Sequence, residues 1–301
     1  VSGVSSGAFM AIQHHVSYNK DVVGVGAIAG GPFFCAQDKV EIALHACMSA
    51  PEFISVAELV TITYATYTTT RTIDNPSYTK GDKIWLFSGV QDKKVKPAVV
   101  VKTFSYYSAL GAEDSDIELR DDIQAAHAMV TDKYGNNCNY FGSPYIDNCN
   151  FDAAGHMLQH FYNGKLKPRV EANKTFIVKF SQSQYIPSAI NASLYGLADV
   201  GYAYVPLNCQ GKMKNCDFHV AYHGCLQAFE NVNTTFVENA GYNEWGEANN
   251  IIILYPQAAS NAFNPESCWD WWGYTGPGYA SKVGLQLSII GEMMEDFMSR
   301  D

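Results

Sequence analysis

Short apolar segments alternate with amphipathic ones along most of this chain, and this alternation constrains the fold more than any other feature of the sequence. Val- and Ile-rich runs bounded by glycine, proline or polar loops predict buried β-strands. The segments between them carry apolar residues at helical spacing. Because strands alternate with helices, we predict an α/β fold in which a mostly parallel central sheet carries helices on both faces.

The predicted elements extend from one end of the chain to the other. Predicted strands lie in DVVGVGAIAGG (21–31), KIWLFSG (83–89), DIELR (116–120), KTFIVKFSQ (174–182), GYAYVPLNC (201–209), FHVAYHGC (218–225) and NIIILYPQ (250–257). Predicted helices lie in residues 7–18, 51–69, 98–111, 151–164, 236–250 and 283–300. Neither an internal repeat nor a Pro-rich linker interrupts the pattern, so we expect a single domain over residues 1–301.

Composition narrows the classes of function. Hydrophobic residues make up 47% of the chain and charged residues 17%, which allows a substantial core. The formal net charge of −10 argues against a nucleic-acid partner, since proteins that bind nucleic acids present a basic surface. The sequence has no apolar run of about 18 residues, the length that a membrane span needs. We therefore expect neither a nucleic-acid nor a membrane partner. We also expect a monomer.

The cysteines and sequons indicate an extracellular protein. None of the eight cysteines forms a Cys-x-x-Cys pair, and their even number with locally paired spacings indicates four disulfides in one of 105 connectivities. Asn173, Asn191 and Asn233 begin Asn-x-Ser/Thr sequons and are glycosylation candidates in a eukaryotic host. The N-terminal residues do not resemble a signal peptide. We expect that peptide, and the residues leading into the first strand, to have been removed or to be missing.

A Gly-x-Ser-x-Gly pentad, Gly3-Val4-Ser5-Ser6-Gly7, lies where a strand fragment ends and an apolar helix begins. Flanking glycines indicate a turn too tight for Cβ atoms beside its central residue. In the nucleophile elbow of α/β-hydrolases, such a turn lifts a serine hydroxyl clear of the sheet. An ordinary strand-to-helix turn would show the same short pattern, so Ser5 is a candidate nucleophile whose partners must be found.

Hydrolases of this kind place an acid and then a histidine after the serine, each on a loop that follows a strand. Asp92 follows KIWLFSG in a polar loop and is the candidate acid. His127 follows DIELR and is the candidate base. Three aspartates in more polar surroundings are the alternatives for the acid: Asp121, Asp122 and Asp132.

Among the other histidines, His156 and His160 are spaced i, i+4 and could share a metal. HMLQH lacks the glutamate of the zinc-protease motif, however, so we expect no metal and no organic cofactor. His223 ends an apolar strand in His-Gly, a pattern by which many α/β-hydrolases supply an oxyanion-hole amide. In those enzymes the pattern precedes the serine, whereas here it follows Ser5 by 218 positions. Either His223 is unrelated to the site or the chain is circularly permuted.

Taken together, seven segments resemble the extracellular polyhydroxybutyrate (PHB) depolymerases of fungi and bacteria, in their single-domain, circularly permuted branch. They are SGVSSGAFM, AGGPFFC, CNFDAAG, YVPLNC, HVAYHGCLQ, GYNEWGEANNIIILYPQ and CWDWWGY. The resemblance runs from Val1 to the final predicted helix. It implies a circularly permuted α/β-hydrolase fold, with Ser5 as nucleophile, His127 as base and Asp92 as acid.

The resemblance also implies roles outside the triad. The backbone N–H groups of Ser6 and Cys225 would form the oxyanion hole. Trp271 matches an aromatic residue that lines the polymer-binding crevice, and we expect Trp269 and His223 to contact substrate beside it, although a core role for one or two of the tryptophans is equally open. The implied disulfides are Cys35–Cys47, Cys138–Cys149, Cys209–Cys216 and Cys225–Cys268.

The chain departs from the family in two places. Ala128-Met129-Val130 stand where the family commonly has a small or hydroxyl residue followed by Phe-Pro, which alters the rim near the base. Residues 35–78 match no family segment, so their role is open.

The function predicted from these observations is that of a secreted serine esterase. It would hydrolyse poly(3-hydroxybutyrate) or related short 3-hydroxyacid polyesters and oligomers through an acyl-enzyme. One alternative is an esterase acting on small soluble or carbohydrate-linked esters, such as acetyl or feruloyl esters. Another is a secreted binding protein that has kept the fold and lost turnover.

Overall fold

The strands fall into two sheets in this computed structural model, which describes residues 1–187 and 192–300. In chain order the strands are β1 (Ser2–Val4), β2 (Gly24–Ile28), β3 (Lys83–Phe87), β4 (Ile117–Arg120), β5 (Met129–Thr131), β6 (Asn136–Asn137), β7 (Ile146–Asn148), β8 (Ile177–Ser181), β9 (Val200–Tyr204), β10 (Asp217–Tyr222) and β11 (Ile251–Tyr255). The central sheet has the order β4-β3-β2-β1-β10-β11-β9-β8, and the small sheet the order β5-β7-β6.

The central sheet is parallel from β4 to β11 and antiparallel at its β9–β8 edge. The prediction of a mostly parallel sheet is therefore confirmed. Because parallel strands end on the same edge, the loops that follow β1, β3, β4 and β10 all emerge on one side of the molecule.

Helices cover both faces of the sheet. They are α1 (Ser6–Ser17), α2 (Val40–Leu44), α3 (Val56–Ala65), α4 (Pro97–Leu110), α5 (Ala153–Phe161), α6 (Phe229–Val232), α7 (Thr235–Asn239), α8 (Asn243–Asn249) and α9 (Leu285–Ser299). The prediction of a single helix over residues 236–250 is wrong. Gly241, with φ 89°, separates α7 from α8. The helix predicted over residues 51–69 is present mainly as α3.

Strand β3 shows how the alternation of side chains builds two cores. Ile84 and Leu86 belong to the cluster that contains the apolar residues of α1, α4 and α9. Trp85 and Phe87 belong to the cluster that contains those of α5 and α7. Successive side chains of a strand point to opposite faces, so one buried strand supplies both layers.

The order of the strands confirms the circular permutation. Strand β10 pairs directly with β1, with Ala221 opposite Ser2 and Tyr222 opposite Gly3, although β10 comes much later in the chain. His223 therefore lies beside the turn of Ser5. The His-Gly strand keeps its place in the sheet and changes only its place in the sequence.

Four disulfides join the pairs that the family resemblance implies: Cys35–Cys47, Cys138–Cys149, Cys209–Cys216 and Cys225–Cys268. Of the sequon residues, Asn173 and Asn233 are exposed, and Asn191 lies outside the described residues. Among the helices of the described residues, none combines the length and the apolar character needed to span a bilayer.

Candidate active site

The pentad forms a strained turn between β1 and α1. Ser5 has φ 57° and ψ −123°, a backbone conformation that side chains disfavour. A Cβ atom on Gly3 would lie 2.2 Å from the carbonyl oxygen of Gly7, and one on Gly7 would lie 2.3 Å from that of His223. Both flanking positions therefore require glycine, and the turn presents Ser5 in the manner of a nucleophile elbow.

Ser5, His127 and Asp92 form a continuous chain of hydrogen bonds. His127 Nε2 lies 2.8 Å from Ser5 Oγ, and His127 Nδ1 lies 2.7 Å from Asp92 Oδ2. The other oxygen of Asp92 accepts the backbone N–H groups of Lys94 (2.8 Å) and Val95 (3.0 Å). Because Asp92 accepts the Nδ1 proton, Nε2 is left to accept the proton of Ser5.

The loops that carry the acid and the base are bonded to each other. The N–H of Val90 donates to the carbonyl of Ile123 (2.9 Å), and that of Gln91 donates to the carbonyl of Ala125 (3.0 Å). The side chain of Asp92 is 1% exposed and that of His127 is 11% exposed. The His127–Asp92 bond is therefore shielded from water, whereas His127 still reaches the cleft.

The alternative acids are engaged elsewhere or exposed to solvent. Asp122 pairs with Arg120, and Asp132 pairs with Arg169. Asp121 is exposed.

The other histidines have structural partners. His14 Nδ1 lies 2.6 Å from the hydroxyl of Tyr222, and burial lowers the pKa of His14 to about 3. His15 is bonded to Asp82, whereas His45 is exposed. The remaining three also have partners outside the cleft: His156 with Trp85, His160 with the Asp116 carbonyl, and His219 with Ser2.

His223 orients a peptide group at the cleft. Its Nε2 accepts the N–H of Ala258 (3.1 Å), so its Nδ1–H donates to the carbonyl of Gly224 (2.7 Å). Burial lowers the pKa of His223 to about 4, which keeps this tautomer neutral. In a trans peptide the C=O and the next N–H point in opposite directions, so the N–H of Cys225 points away from His223. Cys225 lines the cleft beside Ser5.

A second N–H group is available at the start of α1. The N–H of Ser6 belongs to the first turn of the helix and so has no intrahelical acceptor. The N–H groups of Ser6 and Cys225 are therefore the candidate donors of an oxyanion hole.

Gln227 is a site residue that the sequence interpretation missed. Its Oε1 accepts the N–H of Gly224 (2.8 Å), and its Nε2 donates to the carbonyl of Tyr145 (2.9 Å). Gln227 is 2% exposed. The available signal was a glutamine directly after HGCL, because its amide needs polar partners if it is buried.

A disulfide and a hydrogen bond hold the CWDWWG segment beside the turn of Ser5. The Cys225–Cys268 disulfide joins it to the loop of His223, and the N–H of Trp269 donates to Ser6 Oγ (3.3 Å). Trp271 stacks on Phe9, with ring centroids 4.2 Å apart, and lines a cavity that Ser5 also lines.

The predicted substrate contacts of Trp269 and His223 are wrong. Both side chains are 0% exposed. Trp269 packs edge-on against Tyr222 and near the His223 ring, beneath the cleft. Because His223 uses both ring nitrogens for backbone groups, it acts on the cleft only through the peptide that it orients.

Two cavities meet at Ser5. The first, of about 290 Å³, is lined by His127, Lys94, Phe141 and Tyr145 among others. The second, of about 310 Å³, is more apolar, and its lining residues include Phe9, Val95 and Trp271. Four residues line both cavities: Ser5, Met48, Cys225 and Glu266.

Residues 35–78, whose role the sequence left open, supply part of the second cavity. Val40, Ala43 and Leu44 of α2 form part of its wall together with Met48. The Cys35–Cys47 disulfide closes a local loop within this segment, and α2 lies in that loop.

The sheet topology and the hydrogen bonds from Ser5 to Asp92 give this chain the architecture of the serine hydrolases of the α/β-hydrolase fold. Comparison with known proteins narrows the class. The poly(3-hydroxybutyrate) depolymerase of Delftia acidovorans is 42% identical over 299 residues, which are 98% of this chain and 58% of the relative. The polyhydroxybutyrate depolymerase of Talaromyces funiculosus is 34% identical, over 98% of this chain and 88% of the relative. No family model matches the chain.

Solved structures agree with these relatives. The crystal structure of PHB depolymerase from Penicillium funiculosum superposes with a TM-score of 0.88 at 30% identity, covering 99% of this chain and 94% of that one. A serine-to-alanine variant of PHB depolymerase complexed with an R3HB trimer matches equally well. This chain therefore belongs to the PHB depolymerase family. It spans somewhat more than half the length of the Delftia relative and most of the Talaromyces relative.

Proposed function

We propose that this protein is a secreted esterase that hydrolyses poly(3-hydroxybutyrate) or related short 3-hydroxyacid polyesters and oligomers. The observation that carries the proposal is the hydrogen-bonded series Ser5–His127–Asp92 at the junction of two largely apolar cavities. An ester chain laid across Ser5 would extend into both cavities. The names of the relatives and the R3HB trimer bound to a structural neighbour support the same substrate class.

In the proposed reaction, Ser5 Oγ attacks the ester carbonyl carbon while His127 Nε2 takes the hydroxyl proton. The N–H groups of Ser6 and Cys225 stabilise the oxyanion. When the carbon–oxygen bond breaks, His127 gives its proton to the leaving alkoxide, and the acyl group stays on Ser5. A water molecule then repeats the attack with His127 as base, so that one ester and one water yield one acid and one alcohol.

The position of His127 supports a proposal for which half of the substrate occupies which cavity. His127 lines the first cavity and not the second. Because His127 protonates the leaving alkoxide, the alcohol half would occupy the first cavity. The acyl half would occupy the second, between Trp271 and the α2 segment.

Secretion and the monomeric state are part of the proposal. The four disulfides suit an oxidising compartment. Asn173 and Asn233 are exposed and thus accessible to glycosylation.

The test is the clearing of an amorphous PHB suspension by the wild type, by Ser5→Ala, and by Ser105→Ala on helix α4 as a matched control. We expect the wild type and Ser105→Ala to clear it, and Ser5→Ala to be at least about 10⁴-fold slower. Labelling with a fluorophosphonate would be measured in parallel.

Each result has a distinct meaning. Clearing by all three proteins would remove Ser5 from the nucleophile role. A labelled Ser5 without clearing would leave a serine esterase and reject the polymer as substrate. Neither labelling nor clearing would favour a binding protein.

A further inference from the structure

Lys94 lines the first cavity together with Ser5 and His127, yet no step of ester hydrolysis uses its ammonium group. Its Nζ lies 5.0 Å from the ring centroid of Phe141, and that ring lies 6.1 Å from the ring of His127. Within the described part of the chain, Lys94 has no ion-pair partner, and its ammonium group interacts with this ring alone. The first cavity therefore carries an unpaired cation close to the base.

The chemistry of a 3-hydroxyacid chain determines what reaches this cation. Each ester joins the carboxyl group of one unit to the hydroxyl group of the next. The alcohol half released at the scissile bond therefore carries the carboxyl terminus of the chain. Since the alcohol half belongs on the side of His127, a short leaving group would bring its terminal carboxylate into the cavity that Lys94 lines.

The charges along the cleft favour the same direction. Glu266 lines the junction of the two cavities, and no cationic residue lines the second cavity within the described chain. The protein as a whole is anionic, with a net charge of −10. Lys93 and Lys96, both exposed, lie in the same loop as Lys94 but line neither cavity. A carboxylate is therefore attracted at the Lys94 end and repelled elsewhere.

We propose that Lys94 pairs with the terminal carboxylate of a short leaving group and thereby selects the carboxyl end of 3-hydroxyacid oligomers. This inference rests on the proposed esterase function. It makes free-acid oligomers better substrates than their neutral esters, and it makes Lys94 a specificity determinant rather than a catalytic residue.

The experiment compares kcat/KM for the linear 3-hydroxybutyrate trimer as free acid and as methyl ester. The proteins are the wild type, Lys94→Gln, Lys94→Arg, and Lys93→Gln as the matched control from the same loop. The contact of residue 94 with Asp92 is made by its backbone N–H, at 2.8 Å, so the side-chain changes preserve it.

We expect the acid-to-ester ratio of kcat/KM to fall about tenfold in Lys94→Gln, mainly through KM, and to be restored in Lys94→Arg. Lys93→Gln should keep the wild-type ratio. An unchanged ratio in Lys94→Gln, an equal loss on both substrates, or the same fall in Lys93→Gln would overturn the inference. Hydrolysis of neither substrate by the wild type would instead overturn the proposed function itself.

Discussion

The two walls of the cleft are built in different ways. The oxyanion wall, residues 3–7 and 223–227, is made of backbone at the ends of two directly paired strands. The acid–base wall, residues 89–95 and 123–149, presents side chains from loops that are held by each other, by the small sheet and by the Cys138–Cys149 disulfide. The first wall tolerates few substitutions, because a Cβ atom on either of its glycines Gly3 and Gly7 would clash with backbone atoms. The second depends on contacts between distant segments.

This difference teaches where the site can change. A wall made of N–H groups in a strained turn would serve any ester, because the oxyanion is common to all esters. The wall of loops carries Lys94, Phe141 and Tyr145, which line the first cavity. We infer that selection among alcohol halves lies in the acid–base wall, whereas the oxyanion wall would act alike on all esters.

The largest expected effect comes from Asp92→Asn in the acid–base wall. An amide at this position still accepts backbone N–H groups but no longer holds His127 in the reactive tautomer. We expect kcat to fall about 10³- to 10⁴-fold with the fold intact, measured by ester hydrolysis and circular dichroism. Asp122→Asn, on the surface beside Arg120, is the control. If Asp92→Asn kept more than a tenth of wild-type activity, Asp92 would not be the acid.

Removing one disulfide from each wall compares their contributions to stability. Cys225 and Cys268 are 43 residues apart, and Cys138 and Cys149 are 11 apart. Loop-closure entropy predicts a loss of free energy of unfolding of roughly 4 kcal/mol for the double alanine variant of the first pair and roughly 3 kcal/mol for that of the second. Urea denaturation measures both. A larger loss for Cys138–Cys149 would show that contacts within the acid–base loops, rather than the length of the closed loop, determine the loss of free energy of unfolding.

Gln227 links the walls, because it bonds Gly224 on one side and Tyr145 on the other. Gln227→Leu removes both bonds at similar side-chain volume. We expect kcat to fall about 10- to 100-fold with a smaller change in KM, since the Cys225 N–H loses its alignment with the developing oxyanion. Gln124→Leu, an exposed glutamine in the acid–base wall, should have little effect. A change confined to KM would assign Gln227 to substrate binding instead.

The smallest effect on activity is expected at Asp147, which lies in the small sheet. It is 0% exposed, and within the described residues neither carboxyl oxygen has a hydrogen-bond partner of suitable geometry. Burial raises its pKa to about 7, from 3.8. The folded state therefore binds more protons than the unfolded state between these values, so the free energy of unfolding falls as the pH rises from about 4 to about 7.

Asp147→Asn removes this loss. We expect the variant to be more stable than the wild type by up to about 4 kcal/mol at about pH 8 and equally stable near pH 4. Thermal and urea unfolding across this range would measure the difference. The exposed Asp121→Asn is the control. A variant destabilised at both pH values would show that the carboxyl group makes a favourable contact in the folded protein.

Much of the site could be predicted because it depends on local backbone rules. The alternation of strands and helices predicted the mostly parallel sheet, and the chain order of serine, acid and base singled out Asp92 and His127, which the structure brings to Ser5. Their catalytic roles stay predictions. The same reasoning failed for Trp269, because an aromatic residue in a matched segment can point into the cleft or into the core, and the sequence does not distinguish the two.

What the sequence determined by itself is the elbow, since its glycines and its position between a strand and a helix are local properties of the chain. Tertiary structure alone decided three other features of the site. It placed His223 behind a peptide instead of in the cleft, joined the walls through Gln227, and brought α2 over the second cavity. The physical reason is that these contacts join residues far apart in the chain, and their partners are selected by packing and burial rather than by local backbone preference.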